Sequence, residues 1–199
     1  MESIQRQNQN DPMTRNQIIA MQSRIGTTLD GFWGPKSIAA CQRHLRSLMP
    51  VHHPWPNPDA ASLRAFYGEP GTEGNLEPLN VAGLGIEYEG SPVRIVRCHE
   101  DVAESLLRVL KAIAAGPHAA VLAEYAGCYN FRRKRGGSSY SLHAYGAAID
   151  LDPDNNGFRD SWPMRSTMPL AVMEEFAKEG WKSAGAFWGY DAMHFEATR

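Results

Sequence analysis

The hydrophobic pattern begins after a wholly polar start, MESIQRQNQNDP, which reads as a frayed arm over residues 1–12 without the apolar core of a secretory signal. Thr14 with Gln17 three residues on makes a capping box. Ile18, Met21 and Ile25 then recur at i, i+3 and i+7, predicting an amphipathic helix that Gly26 stops. A turn-rich stretch, LDGFWGP (Leu29 to Pro35), follows, and Pro35 suits the first turn of a second helix. Ile38, Cys41, Leu45 and Leu48 line one side of that helix, which ends before Pro50. Two short helices around a Trp-bearing turn form a unit of roughly 40 residues, near the lower size limit for independent stability.

Prolines 54, 56 and 58 make residues 51–59 a stiff linker. SLRAFYG predicts a short helix, and Glu69–Gly85, rich in Gly and Pro, is expected to be irregular. GIEYEGSPVRIVRCH reads as two short strands around Glu89–Pro92. Asp101 with Glu104 caps an amphipathic helix through Val102, Leu106, Val109 and Ile113, closed by Gly116 and Pro117. AAVLAEYAGCYNF is expected to be a strand entering the polar loop RRKRGGSSYS, and AAIDLDP a second strand. A helix over Leu170–Glu179 buries Leu170, Met173 and Phe176, with Gly180 at its C-terminal cap, and the aromatic tail is strand-like. Strands and helices in mixed order favour an α+β fold over a doubly wound sheet.

Composition narrows the function classes. In 199 residues, 20 Lys+Arg stand against 22 Asp+Glu, so the basic excess of a nucleic-acid binder is absent. Three scattered cysteines (Cys41, Cys98, Cys128) make no disulfide framework. No run approaches the roughly 18–20 apolar residues of a membrane span, so no stable membrane insertion is expected.

Between Ser141 and Asp150 the chain reads SLHAYGAAID, and near the end DAMHFE. Two imidazoles and a carboxylate suit zinc, whose catalytic sites use three protein ligands and leave a fourth position for water. His143, Asp150 and His194 are the candidate ligands. By spacing alone the set is not diagnostic: His-x6-Asp is no zinc-finger pattern. In a strand, Asp150 shares a face with Ala148 and Asp152, and His194 shares one with Glu196. DxDxNG from Asp152 resembles the start of a calcium loop, but its twelfth position is Pro163, so an Asx-rich turn is the better reading.

The two signatures together resemble S-x-H-x-x-G-x-A-x-D and the C-terminal D/E-x-x-H of the D-alanyl-D-alanine carboxypeptidase family of zinc peptidases. That family includes dipeptidases and the L-alanyl-D-glutamate endopeptidase lysins of bacteriophages. The resemblance covers about residues 60–199. It implies one zinc ion per chain on His143, Asp150 and His194, with Asp191 as catalytic acid/base. It also implies a substrate-facing arginine at Arg132, with Arg133 its nearest rival. Ser141, Trp188 and Tyr190 are candidate substrate contacts. Where the family often has Glu, this chain has Asp191, which tilts the reading towards the lysins.

IIAMQSRIGTTLDGFWGPKSIAACQRHL resembles the peptidoglycan-binding repeat, with Asp30 and Trp33 in its turn; a third helix is missing or borrowed from ASLRAFY. The resemblance thus implies a small all-α peptidoglycan-binding module (13–50), the proline linker (51–59) and an α+β, small antiparallel-sheet zinc peptidase domain of the hedgehog/D-Ala-D-Ala peptidase type (60–199). The implied protein is a monomeric phage-type endolysin acting on bacterial peptidoglycan, held in the host cytoplasm until lysis. The alternatives are a D-alanyl-D-alanine carboxypeptidase or dipeptidase on the same scaffold and a non-catalytic wall-binding protein.

Overall fold

The computed structural model describes residues 13–199; the arm expected over 1–12 lies outside the described residues. Helix α1 (Arg15–Arg24) opens on the expected reciprocal capping box, Thr14 with Gln17. Helix α2 (Pro35–Leu48) starts at its proline. The turn between them is built on Gln22, which is fully buried. Its amide nitrogen lies 2.8–3.0 Å from Asp30 Oδ1, Phe32 O and Ser37 Oγ, and its carbonyl accepts the Gly31 N–H. Asp30 is thus spent on closing the turn. Trp33, which the resemblance places in the turn of a wall-binding module, is buried edge-on against Trp162 with ring centroids 5.3 Å apart. The exposed apolar side chains of this turn are Leu29 and Phe32.

Helix α3 (Ala60–Tyr67) forms where SLRAFYG predicts one. Strand β1 (Leu76–Asn80) then falls inside the stretch expected to be irregular. It pairs antiparallel with β4 (Ile95–His99), and Pro78 is tolerated because a two-stranded ribbon leaves its outer edge free of ladder bonds. The hairpin β2 (Glu87–Tyr88) and β3 (Ser91–Pro92) sits between them. Helix α4 (Glu100–Ala115) is capped by His99 rather than Asp101: the His99 Nδ1 accepts the Asp101 N–H. Residues 119–124 form a 3-10 helix, not the expected strand, with Val121 and Leu122 both buried.

Strands β5 (Tyr125–Gly127), β6 (Ala148–Leu151), β7 (Lys182–Ser183) and β8 (His194–Glu196) build an antiparallel four-stranded sheet in the order β5-β6-β8-β7. Helix α5 (Leu170–Lys178) and the short α6 (Ala184–Trp188) intervene, so the tail is only partly strand. Phe195 stacks on Phe176 of α5 with centroids 3.8 Å apart, and Trp181 completes that aromatic layer. No helix among the described residues is long and apolar enough to cross a membrane.

The N-terminal helices share this core. Glu174 on α5 is buried, and its carboxylate receives the Arg24 guanidinium and sits 2.8 Å from His44 Nε2. The proline-rich stretch is held down as well: Trp55 is buried, donates to Glu179 O, and its own carbonyl accepts the Arg199 Nε–H.

Burial alone would raise the Glu174 pKa, yet the hydrogen bonds from Arg24 and His44 hold it below its ordinary value. A depressed carboxyl stabilises the fold above the unfolded pKa and loses that contribution as pH falls through the lower, folded one. Glu174→Gln should cost roughly 1–2 kcal/mol at pH 7, less than a fully buried pair because Arg24 is half exposed. Urea denaturation should show that difference shrinking by pH 3.

Candidate metal centre

The antiparallel register of β6 and β8 sets Asp150 directly opposite His194. Side chains at such paired positions lie on one face with Cβ atoms about 4.5–5.5 Å apart. His143 arrives from a 3-10 turn, Leu142–Tyr145, whose start is capped by the Ser141 hydroxyl accepting the His143 N–H. Gly146 ends that turn in the left-handed region, and a Cβ there would stand 2.8 Å from His99 N. Its carbonyl accepts the His99 N–H, so the ligand-bearing turn is fastened to the end of β4.

His143 Nε2 lies 3.2 Å from Asp150 Oδ1 and 3.2 Å from His194 Nδ1, and His194 Nδ1 lies 2.8 Å from Asp150 Oδ1. All three residues are buried. With Zn–N and Zn–O near 2.0–2.1 Å, tetrahedral ligand atoms stand about 3.3 Å apart. The donor set therefore fits zinc in both chemistry and spacing.

Neighbours fix each ring. His143 Nδ1–H donates to Cys128 O at 2.7 Å, which turns the Nε2 lone pair to the centre. Glu196 Oε2 lies 3.5 Å from His194 Nε2, and the other carboxylate oxygen, Oε1, accepts the Thr198 hydroxyl, leaving Nδ1 to face Asp150. Burial works against charge here. Even so, hydrogen bonds from His143 and His194 hold Asp150 well below the usual carboxylate range, and those to Asp150 and Glu196 carry His194 up to about 10.

Asp191 adopts φ +59°, a left-handed conformation that Asp tolerates better than most residues. Its carbonyl accepts the His194 N–H, while its carboxylate Oδ1 is buried without a hydrogen-bond partner. Burial pushes Asp191 up to about 6; His194, His143 and Arg135 pull it down, and Asp150 pushes with burial. Trp188 stacks over the His194 ring at 5.7 Å, and Trp188 and Tyr190 form an exposed aromatic rim. Ser141, in contrast, is buried beneath the turn it caps.

The basic loop sorts itself by partner. Arg133 stacks on Tyr140 and donates to Ser138 O, whereas the half-buried Arg132 has no side-chain hydrogen bond or ion pair among the described residues. Arg135, which sequence reasoning passed over, stacks on Phe158 and is the arginine whose charge reaches Asp191. Cys128 was also missed as a site residue. It acts through its backbone carbonyl, so residue type carries no signal.

Zinc should bind at one site per chain and raise the melting temperature, by about 2.7 kcal/mol of stabilisation at a hundredfold excess over Kd. His143→Ala should abolish the shift, and Glu196→Gln should weaken metal affinity about 10- to 100-fold, as removal of a ligand's orienting partner does. Calorimetric titration with zinc measures both.

No curated protein and no solved structure matches the chain. A family model does: residues 135–197 match one described as D-alanyl-D-alanine carboxypeptidase. The matched segment holds His143, Asp150, Asp191 and His194 and leaves Arg132 just outside it. The similarity covers about a third of the chain, and within that segment lies the His–Asp–His group able to hold a metal.

Proposed function

We propose that the chain is a peptidoglycan hydrolase of the endolysin type, cutting the L-alanyl-D-glutamate amide of the stem peptide. The observation that carries this reading is the convergence of His143, Asp150 and His194 within one family-matched segment, next to an acid with an unpartnered buried oxygen. Those three residues would hold zinc. When bound, zinc supplies Lewis acidity that acidifies water and polarises the scissile carbonyl.

Asp191 does the proton work. With a pKa near 6 it is ionised at neutral pH, takes a proton from the attacking water, and returns it to the leaving nitrogen as the C–N bond breaks. The water oxygen ends on the acyl carbon, so products are a carboxylic acid and an amine. Arg132, its guanidinium uncommitted, donates to the oxygen that gains charge, a contribution of roughly 2.7–4 kcal/mol per donor. Trp188 and Tyr190 wall the peptide's approach. The N-terminal helices serve as a wall-holding unit through the exposed Leu29 and Phe32, raising the local substrate concentration. In this reading the enzyme waits in the cytoplasm of an infected cell and reaches its substrate at lysis.

A second reading, a D-alanyl-D-alanine carboxypeptidase, is favoured by the description of the matched family. Mass analysis of digested muropeptides separates the two. Release of the peptide after its first alanine supports the endopeptidase, and loss of the terminal alanine supports the carboxypeptidase. Untouched muropeptides with zinc-loaded protein would refute both. Asp191→Asn should keep its zinc and lose about 10²- to 10⁴-fold in turnover.

A further inference from the structure

Away from the metal centre, the end of α2, the proline-rich stretch and strand β7 enclose a groove of about 630 Å³. Its walls carry Arg46, Lys182 and Arg199 and no acidic side chain. None of these three cations has an ion pair among the described residues. The two arginine side chains are held in place, and the lysine sits on an ordered strand. The Arg46 guanidinium lies 5.0 Å from the Phe187 ring centroid, Arg199 donates to Trp55 O, and the Lys182 backbone is paired in the sheet opposite Glu196.

Lys182 is half-buried and feels Glu196 across the strand pair, whereas no acidic side chain lines the groove beside Arg46 or Arg199. Burial depresses the Lys182 pKa; Glu196 across the strand pair opposes that shift, and the repulsion from Arg46 adds a smaller push in the same direction as burial. An anion relieves that repulsion, and guanidinium forks suit phosphate oxygens. The groove is much larger than a lone phosphate ion. Its remaining lining includes Met49, Val51 and Phe187, and Val51 is almost fully exposed.

We propose that this groove binds an organic phosphate, its phosphate group held by Arg46, Lys182 and Arg199 and its organic part laid on Met49, Val51 and Phe187. A soluble phosphate ester and a phospholipid headgroup present the same chemistry.

The test is titration of the full chain, at fixed ionic strength, with glycerol 3-phosphate and with phosphatidylglycerol-containing vesicles, phosphatidylcholine vesicles serving as blank. Saturable binding to either probe is expected, weakened roughly tenfold in Arg46→Gln and in Arg199→Gln, the loss of one charge-assisted contact. Lys111→Gln, an exposed charge removed elsewhere, should bind like the parent. Binding to the free ester alone identifies a soluble ligand; vesicle binding that the ester displaces identifies a lipid surface. Melting curves establish that each variant is folded, and either arginine variant suffices if the other is not. No saturable binding to either probe, or an equal loss in Lys111→Gln, overturns the proposal.

Discussion

The cross-strand register of β6 and β8 is the constraint on which the site depends. Asp150 faces His194 across a distance of 44 positions in sequence only because Ile149 faces Phe195 beside them. The two pairs point to opposite sides of the sheet. A slip of one residue would carry the carboxylate and imidazole into the aromatic layer and expose Phe195. What opposes that slip is the stacking of Phe195 on Phe176, backed by Trp181. The geometry of the His–Asp–His group is thus enforced from behind, by apolar packing on the opposite face of the sheet.

Placing two imidazoles with Asp150, Glu196 and Asp191 in a buried cluster runs against the desolvation cost of charge. The His143 hydrogen bond to Cys128 O, the one from the Thr198 hydroxyl to Glu196 and the mutual pairing of His194 with Asp150 offset that cost in part. A divalent cation replaces a proton at such a centre, so metal uptake and ionisation are linked. Asp191 stays outside the pairing and keeps an unsatisfied oxygen at the expense of a left-handed backbone, which is strain stored where chemistry is proposed.

The N-terminal helices matter to this arrangement because of where they attach. Arg24 and His44 converge on Glu174 of α5, the helix that also presents Phe176 to β8. Trp33 meets Trp162, and Gln42 donates to the carbonyl of Ala186, two residues before the rim residue Trp188. The proline-rich stretch is pinned at Trp55 and Arg199. Helices, connector and sheet share one apolar core.

Local chemistry was legible in the residues. The Thr14–Gln17 box, Pro35 at a helix start, the apolar faces of α4 and α5 and the strand around Asp150 all rest on interactions within a few positions of one another. His143, Asp150 and His194 stood out by donor type and by resemblance. The rest rested on contacts between distant segments. β1 forms at Pro78 because β4 lies alongside; the helix after it takes its cap from His99; residues 119–124 coil where they pack against α4 and β2. Trp33 could not be told from a surface aromatic until Trp162 was beside it, nor Cys128 identified as the group orienting His143, since that task falls to a backbone carbonyl every residue possesses. The amino-acid order decided which groups exist to bind a metal and move a proton; folding alone decided which of them meet, because side-chain identity is a property of one position and proximity is a property of two.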